Sequence, residues 1–392
     1  MLYLGYMFFK KPEAFLGVDL GAGGVKVVEL KKEKNRPVLF TYGVTRQPQD
    51  IHRLLERSKL KSDFSANYTN KLSSDDKAKQ TPLFQIDREQ VKSFGRLLRS
   101  VCDQAKTVSK TAVASLPVSS VFHAVVTLPI VKKEEFERIM KAEVKKLLPY
   151  PLEEMALEWE IVPGSADGTD REQRVLVNAA PRALVVFYTE VFKEAGLQLE
   201  SLEPESIALT RALVGRDTAT SMLIDIGAER TNFFIVEQTF PMTHHSIEIG
   251  GEKINQILQN ILGVERHIVN RVKKDLFNHM LLTKEDHTLS KEQFLTTFAP
   301  VIEPIIKEVE YSLDMYMRQS SNRGKNPEKI ILTGGSSNFP YLAEKISEKF
   351  NLKCYIGDPW GRVVYQEGLK PALRTIAPRL AVAIGLALRN VI

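Results

Sequence analysis

A chain of 392 residues, 43% hydrophobic and 26% charged, can bury a large core and has the length of two or three folding units. Its 54 Lys+Arg against 48 Asp+Glu leave a net charge of +6 that is not gathered into one run, which argues against a dedicated nucleic-acid site. Cys102 and Cys354 have no Cys or His at metal-ligand spacing, as befits a reducing cytosol, and the apolar start Met1–Phe9 falls far short of the ~20 residues that span a bilayer, with no other window expected to reach that length.

In chain order, Phe15-Leu-Gly-Val-Asp19-Leu-Gly21-Ala-Gly23-Gly24-Val-Lys26-Val-Val-Glu-Leu30 reads as strand, glycine turn, strand. Residues 51–86 turn polar and predict a mobile surface insertion in a first lobe core of residues 13–118. From 119 to 195 the pattern is β-α-β-β-α: a strand over 121–128, a helix over 133–148 stopped by Pro149-Tyr-Pro151, strands over 158–162 and 174–179, and a helix over 183–195. Residues 196–218 predict a connecting helix. The second lobe core, 219–250, opens with Met222-Leu-Ile-Asp225-Ile-Gly227-Ala-Glu-Arg-Thr231-Asn232-Phe-Phe-Ile-Val236, the same strand-turn-strand pattern as the start of the chain. Residues 251–327 are mainly helical, with Ile254, Ile257, Leu258 and Ile261 at helical spacing. The core resumes over 328–376 with a buried strand ending at Gly334-Gly335 and a helix over 341–350, and a small-residue helix over 378–389 closes the chain within 377–392.

Two acidic glycine turns, one per lobe, are what a polyphosphate needs. Gly21, Gly23, Gly24 and Gly227 let backbone N–H groups approach without a Cβ in the way. Asp19 and Asp225, each read as the last residue of its strand, are placed to hold hydrated Mg²⁺, which keeps several waters and takes few protein ligands. Thr231 and Asn232 are candidate donors to a terminal phosphate. Gly250-Gly251 opens the helical segment and Gly334-Gly335 ends a strand, so four glycine-marked turns follow in the order of the actin, hexokinase and chaperone-type ATPases, in which the last two build the nucleoside site.

The resemblance narrows on Gly17-Val-Asp-Leu-Gly-Ala-Gly-Gly-Val-Lys-Val-Val-Glu-Leu30, on Ala142-Glu-Val-Lys-Lys-Leu-Leu-Pro-Tyr-Pro-Leu-Glu-Glu154, on Glu248-Ile-Gly-Gly-Glu-Lys-Ile254 and on Leu332-Thr-Gly-Gly-Ser336. These segments resemble the PilM family of type IV pilus assembly proteins, over roughly residues 15–389 apart from the insertion. The resemblance implies an α/β, actin-like (ribonuclease H-like, duplicated) two-lobed ATPase fold with its small subdomain inserted in the first lobe, as in the cell-division protein FtsA. It also implies an ATP-binding scaffold, cytoplasmic and peripheral to the inner membrane, that grips the short cytoplasmic tail of a PilN-like protein in a groove beside the inserted subdomain and meets other pilus platform proteins, with a homo-oligomer open. ATP would close the lobes and so set that groove. Ala22, Lys26, Lys253 and Ser336 join the expected nucleotide contacts. Where family members usually carry serines in the first turn, Ala22, Gly23 and Gly24 stand here, without hydroxyl donors.

Hydrolysis is expected to be slow or absent. A water-positioning group is required, and Glu205 is the candidate; Glu203 and Glu205 read equally as carboxylates at a helix N-terminus. His244 and His245 have no visible acid or nucleophile beside them. The apolar stripe Phe136, Met140, Val144, Leu147 is expected to pack on its own sheet, with Lys133, Lys141 and Lys145 facing solvent. A small-molecule kinase of the same fold would need a catalytic Asp outside the two turns, and the sequence offers none. An FtsA-like membrane filament would need a C-terminal amphipathic helix, for which the chain ending at Ile392 is expected to leave no room.

Overall fold

The computed structural model describes residues 13–45, 86–148, 150–165, 171–282, 290–318 and 326–391. The apolar start and nearly all of the expected insertion lie outside them. The first half runs β1 (Ala14–Gly21), β2 (Gly24–Glu33), β3 (Arg36–Val44), α1 (Arg88–Ala105), β4 (Thr111–Leu116), β5 (Phe122–Pro129), α2 (Lys133–Leu147), β6 (Met155–Ser165), β7 (Glu172–Pro181), α3 (Arg182–Glu194), β8 (Gln198–Pro204) and α4 (Glu205–Leu209). The second runs β9 (Ser221–Ile226), β10 (Thr231–Glu237), β11 (Phe240–Ile247), α5 (Gly251–Leu262), α6 (Arg266–Leu282), α7 (Lys291–Thr297), α8 (Ala299–Arg318), β12 (Lys329–Thr333), α9 (Leu342–Phe350), β13 (Lys353–Ile356) and α10 (Lys370–Leu388).

The duplication read from the two turns is a duplication of whole sheets. One sheet has the order β3-β2-β1-β4-β8 and the other β11-β10-β9-β12-β13. In each, three antiparallel strands are followed by two parallel ones. The inner strands are apolar on both faces because helices cover both sides of each sheet. β9 and β12 show it, with Met222, Leu223, Ile224, Ile330, Ile331 and Leu332 all buried.

The helices that follow the last strand of each sheet, α4 and α10, cross between the lobes. Gly385 of α10 lies against the backbone of Ala208, where any Cβ would collide with the carbonyl. The segment expected as one connecting helix over 196–218 is therefore strand β8 followed by α4 and a π turn, Thr210–Val214. A similar correction applies to the closing helix, which begins at Lys370 rather than at Pro378. Pro371 occupies its first turn, and Pro378 sits inside the helix, its carbonyl accepting from Gly334 N (3.1 Å) and Thr333 Oγ1 (3.3 Å). Residues 367–388 are also long and apolar enough to cross a membrane by length and composition, contrary to the expectation of no such window. Most of this span is buried in the protein, because it must be apolar to pass between two lobes.

β5, β7 and β6 form a separate antiparallel sheet inserted in the first lobe. On one face Phe136, Met140 and Val144 of α2 pack on Val126, Leu128, Val175 and Val177 and form the core of the subdomain, with Lys133, Lys141 and Lys145 exposed; Leu147, the fourth residue of the expected stripe, lies at the helix end and is exposed instead. The β-α-β-β-α order is present, and its last helix packs inward on the first lobe: Leu184, Phe187, Val191 and Phe192 of α3 join Phe94 and Leu98 of α1.

The other face of the inserted sheet docks on the second lobe. Val162 and Leu176 join the second-lobe core. Beside them the Arg174 guanidinium makes two 3.0 Å hydrogen bonds to the Glu237 carboxylate of β10, which also accepts from Tyr316 Oη at 3.2 Å. Both charged side chains are almost wholly removed from water, at 3% and 5% exposure. A buried fork of this kind need not add net stability, but losing one partner strands the other charge. Arg174→Met should therefore cost about 3–5 kcal/mol, and adding Glu237→Leu should restore most of it. Urea unfolding of the wild-type, single and double variants checks this.

Candidate functional site

The first turn is a two-residue hairpin loop, Ala22-Gly23, closed by the pairing of Gly21 with Gly24. β1 runs on two residues beyond Asp19, and β9 one beyond Asp225, so neither aspartate ends its strand as expected. Pairing of Asp19 with Lys26 across the hairpin sets Lys26 Nζ 2.8 Å from Asp19 Oδ2, with Ser115 Oγ 3.4 Å from Oδ1. Asp19 is 4% exposed.

The two turns meet. A Cβ built on Gly23 would stand 3.2 Å from the Cβ of Ala228 in the second turn. That turn is tied to the third, at the start of α5, by Gly251 N donating to Gly227 O (3.0 Å) and Glu252 N to Ala228 O (2.8 Å), and to the fourth by Ser336 N donating to Ile226 O (3.0 Å). Gly334 has φ +91 and any Cβ there would meet Asp225 Oδ1, which makes glycine the residue the turn requires. All four glycine-marked turns thus converge on one cleft.

The cleft is strongly acidic. Asp225 is pushed up to about 6, first by burial and then by the negative charge of Asp19, with Lys26 and a hydrogen bond from Asn232 opposing. Glu205, at the start of α4, is raised well above the usual carboxylate range by burial, then by Asp19 and Asp225, with Lys26 and the Val118 N–H (3.4 Å) pulling the other way. Tyr188 lies in the same field, and its buried hydroxyl has no hydrogen-bond partner among the described residues. Three carboxylates thus face one ammonium.

Not every expected residue reaches the cleft. The Thr231 hydroxyl is fully buried and donates to Ile249 O at 2.6 Å, so it fastens β10 to the Gly250 turn and is not free for a phosphate. Lys253 is exposed on the first turn of α5. Glu203 and Glu205 part company: Glu203, on β8, is buried in a clamp of Arg211 (2.5 and 3.0 Å) and Arg389 (3.2 Å), whereas Glu205 faces the aspartates. His244 is half-buried, stacked on Phe234 with centroids 5.6 Å apart, and desolvation, then His123 and His245, hold it well below the usual imidazole range; His245 pairs with Glu308 at 2.9 Å.

Sequence reading missed two basic residues here. Lys273 of α6 reaches the Gly251 carbonyl (3.4 Å), near the Ser336 hydroxyl, and burial lowers it to about 8, with Glu252 opposing and Arg379 assisting. Arg379 of α10 donates to Gly23 O and Thr45 O, both at 2.9 Å, and so braces the first turn from behind. Lys273 sits in a basic run that reads as solvated surface. An arginine at the head of the apolar run Leu380–Leu388 was the available signal for Arg379.

Away from the cleft, a groove of about 310 Å³ separates the inserted sheet from the first lobe. Its walls come from Ala156–Glu158 of β6 and Asn178–Ala180 of β7 on one side, and from α3 and Leu199–Leu202 of β8 on the other.

A family model described as type IV pilus assembly protein PilM matches residues 77–391. Among solved structures, the chain is similar to one titled "PilM-PilN type IV pilus biogenesis complex", with 20% identity and a TM-score of 0.74 over 96% of this chain and 98% of that one. It is also similar to the ethanolamine utilization protein EutJ from Carboxydothermus hydrogenoformans, with 13% identity and a TM-score of 0.52 over 96% of this chain and 90% of that one. At these identities the likeness establishes the fold, and the fold is the actin-like ATPase fold expected from the sequence.

The cleft's charge makes a prediction about stability. Because the folded value for Asp225, about 6, lies above its ordinary 3.8, folding is favoured below about pH 4 and loses that advantage as pH rises from 4 to 6. Glu205 acts in the same direction. Asp225→Asn should flatten that pH dependence and, with no ligand added, stabilise the chain at pH 7.5 by about 1–2 kcal/mol, the figure discounted because the side chain is only half-buried. Thermal melts from pH 4 to 8 check it.

Proposed function

The chain belongs to the family of the type IV pilus assembly protein PilM, and on that premise we propose that it is an ATP-binding scaffold that grips the cytoplasmic tail of a PilN-like inner-membrane protein. The tail would lie in the groove between the inserted sheet and the first lobe. The observation that carries the reading is an asymmetry in how the inserted sheet is held. Against the second lobe it is closed by an apolar contact and the Arg174–Glu237 fork, and against the first lobe it is open along the groove. A sheet held this way moves with the second lobe although the chain inserts it in the first. Closing the cleft therefore moves one wall of the groove relative to the other.

The residues of the cleft fit Mg-ATP. A Cβ would close on Lys26 at Gly21, on Ala228 at Gly23 and on Arg230 at Gly227, and Gly24, at φ +116, takes a backbone conformation that favours glycine; with Ala22 these glycines would cradle the phosphates. Three carboxylates beside one lysine would repel a bare polyphosphate, so the ligand they suit brings its own divalent cation. Asp19 and Asp225 would hold Mg²⁺ through its waters, which neutralises both phosphate and carboxylate charge. Lys26 and Asn232 would contact phosphate. Gly250, Gly251, Gly334, Gly335, Ser336 and, newly, Lys273 would surround the nucleoside. Glu205 faces the two aspartates and is raised first by burial and then by their charge; it is the candidate for positioning water, with hydrolysis expected to be slow. The scaffold is cytoplasmic in this reading and meets the membrane through its partner.

Binding to the closed state alone stabilises it by mass action. Millimolar Mg-ATP should raise the melting temperature by on the order of 3–5 °C at a hundredfold excess over Kd, and ATP with EDTA should raise it much less. An unchanged melting temperature with Mg-ATP would count against nucleotide binding.

A further inference from the structure

At the end of β1 away from the cleft, the first lobe carries a surface that neither the cleft nor the groove uses. Gly21 pairs with Gly24 at the phosphate turn, and Ala14 pairs with Lys31 at the other end of the strand, roughly 20 Å away. There β2 turns into β3 through Lys34 and Asn35, both at positive φ. The hairpin carries Lys31, Lys32, Lys34 and Arg36. Lys34 and Arg36 are exposed, Lys31 and Lys32 partly so, and none of them forms an ion pair among the described residues.

Apolar side chains sit among these cations. Phe40 of β3 is 41% exposed, with Lys31 Nζ over its ring at 3.3 Å from the centroid. Glu29, two residues before Lys31 and so on the same face of β2, is buried and accepts from Val108 N (3.1 Å) and Ser109 N (2.6 Å). That carboxylate pins the loop after α1 beside the hairpin, where Val108 stands 54% exposed between exposed Lys106 and Lys110. The exposed carboxylates of these segments, Glu13, Glu33 and Asp103, are fewer than the cations. Lys32 N donates to Glu13 O at 3.2 Å, so the chain enters the fold beside this hairpin. What precedes that point in sequence is Met1-Leu-Tyr-Leu-Gly-Tyr-Met-Phe-Phe9, then Lys10-Lys11.

We propose that this end of the first lobe docks directly on an anionic phospholipid membrane, with the cations of the hairpin against the head groups and Met1–Phe9 entering the acyl boundary. Charge complementarity selects the head groups, since each Lys or Arg held at an anionic bilayer adds its own attraction. The apolar run supplies the second signal, because stable anchoring takes an apolar insertion together with a basic patch. A nucleic acid would satisfy the cations and leave Phe8, Phe9, Phe40 and Val108 in water, so the lipid surface is the better match. This contact is separate from nucleotide and tail binding and requires neither.

The test is flotation of the full chain, with no partner added, on phosphatidylcholine vesicles containing about 30% phosphatidylglycerol or none. The chain should float with the anionic vesicles at about 50 mM salt, far less at about 500 mM, and little with the neutral ones. The triple variant Lys32→Gln, Lys34→Gln, Arg36→Gln should weaken anionic-vesicle binding about a hundredfold at low salt. Phe8→Ser with Phe9→Ser should weaken it at least about tenfold and leave the preference for phosphatidylglycerol in place. Should a variant fail to fold, the wild-type chain still decides: no flotation with anionic vesicles at low salt, or equal flotation with neutral ones, overturns the proposal. Anionic-vesicle binding unchanged in the folded triple variant overturns it too. Duplex DNA bound as tightly as the vesicles, with the Phe8 and Phe9 variant unaffected, would mark a general polyanion surface and overturn it as well. None of these outcomes touches the tail-binding reading, because no tail is present.

Discussion

Three carboxylates, from Asp19, Asp225 and Glu205, stand around one ammonium, that of Lys26, and this imbalance is the constraint on which the rest of the molecule depends. It exists because two lobes are held so close that the loops of their first hairpins nearly touch, Gly23 against Ala228. That closeness is fixed elsewhere, where α10 passes α4 with Gly385 on the backbone of Ala208 and where Arg379 reaches back to the first turn. Burial raises two of the carboxylates, which a folded protein tolerates only at a cost to its own stability. Regions that carry such a cost are common at functional sites, where a ligand of the opposite charge relieves it.

The inserted sheet converts that cleft into something a partner can sense. Covalently it belongs to the first lobe, whose core Ala180 joins, yet Val162, Leu176 and the fork from Arg174 to Glu237 bury it against the second. The apolar contact supplies the attraction and the fork supplies register, since a bidentate pair accepts one geometry. Beside β8 and α3 the same sheet leaves a groove, and in the proposed reading closing the cleft displaces its two walls relative to each other.

How much of this was legible in the sequence depended on distance along the chain. The acidic glycine turns could be read because strand, Asp-x-Gly and strand are local, and the fold, the duplication and the convergence of Gly250 and Gly334 on the cleft followed. Thr231 was legible as a turn residue, but its bond to Ile249 depends on a strand pairing that the turn alone does not reveal. Pro378 looked like a helix start because proline is favoured there, whereas packing carried the helix through it. Lys273 and the Arg174–Glu237 fork were not legible at all. Charged residues read as surface until a fold buries them, and nothing in the sequence links two partners 63 residues apart.

If cleft and groove are one mechanical unit, their ligands must be coupled. By titration calorimetry of the tail peptide with and without saturating Mg-ATP, the nucleotide should tighten tail binding at least fivefold, with the tail tightening nucleotide binding by the same factor, as linkage requires. Equal tail affinity in the two titrations, with both ligands binding, would contradict the claim.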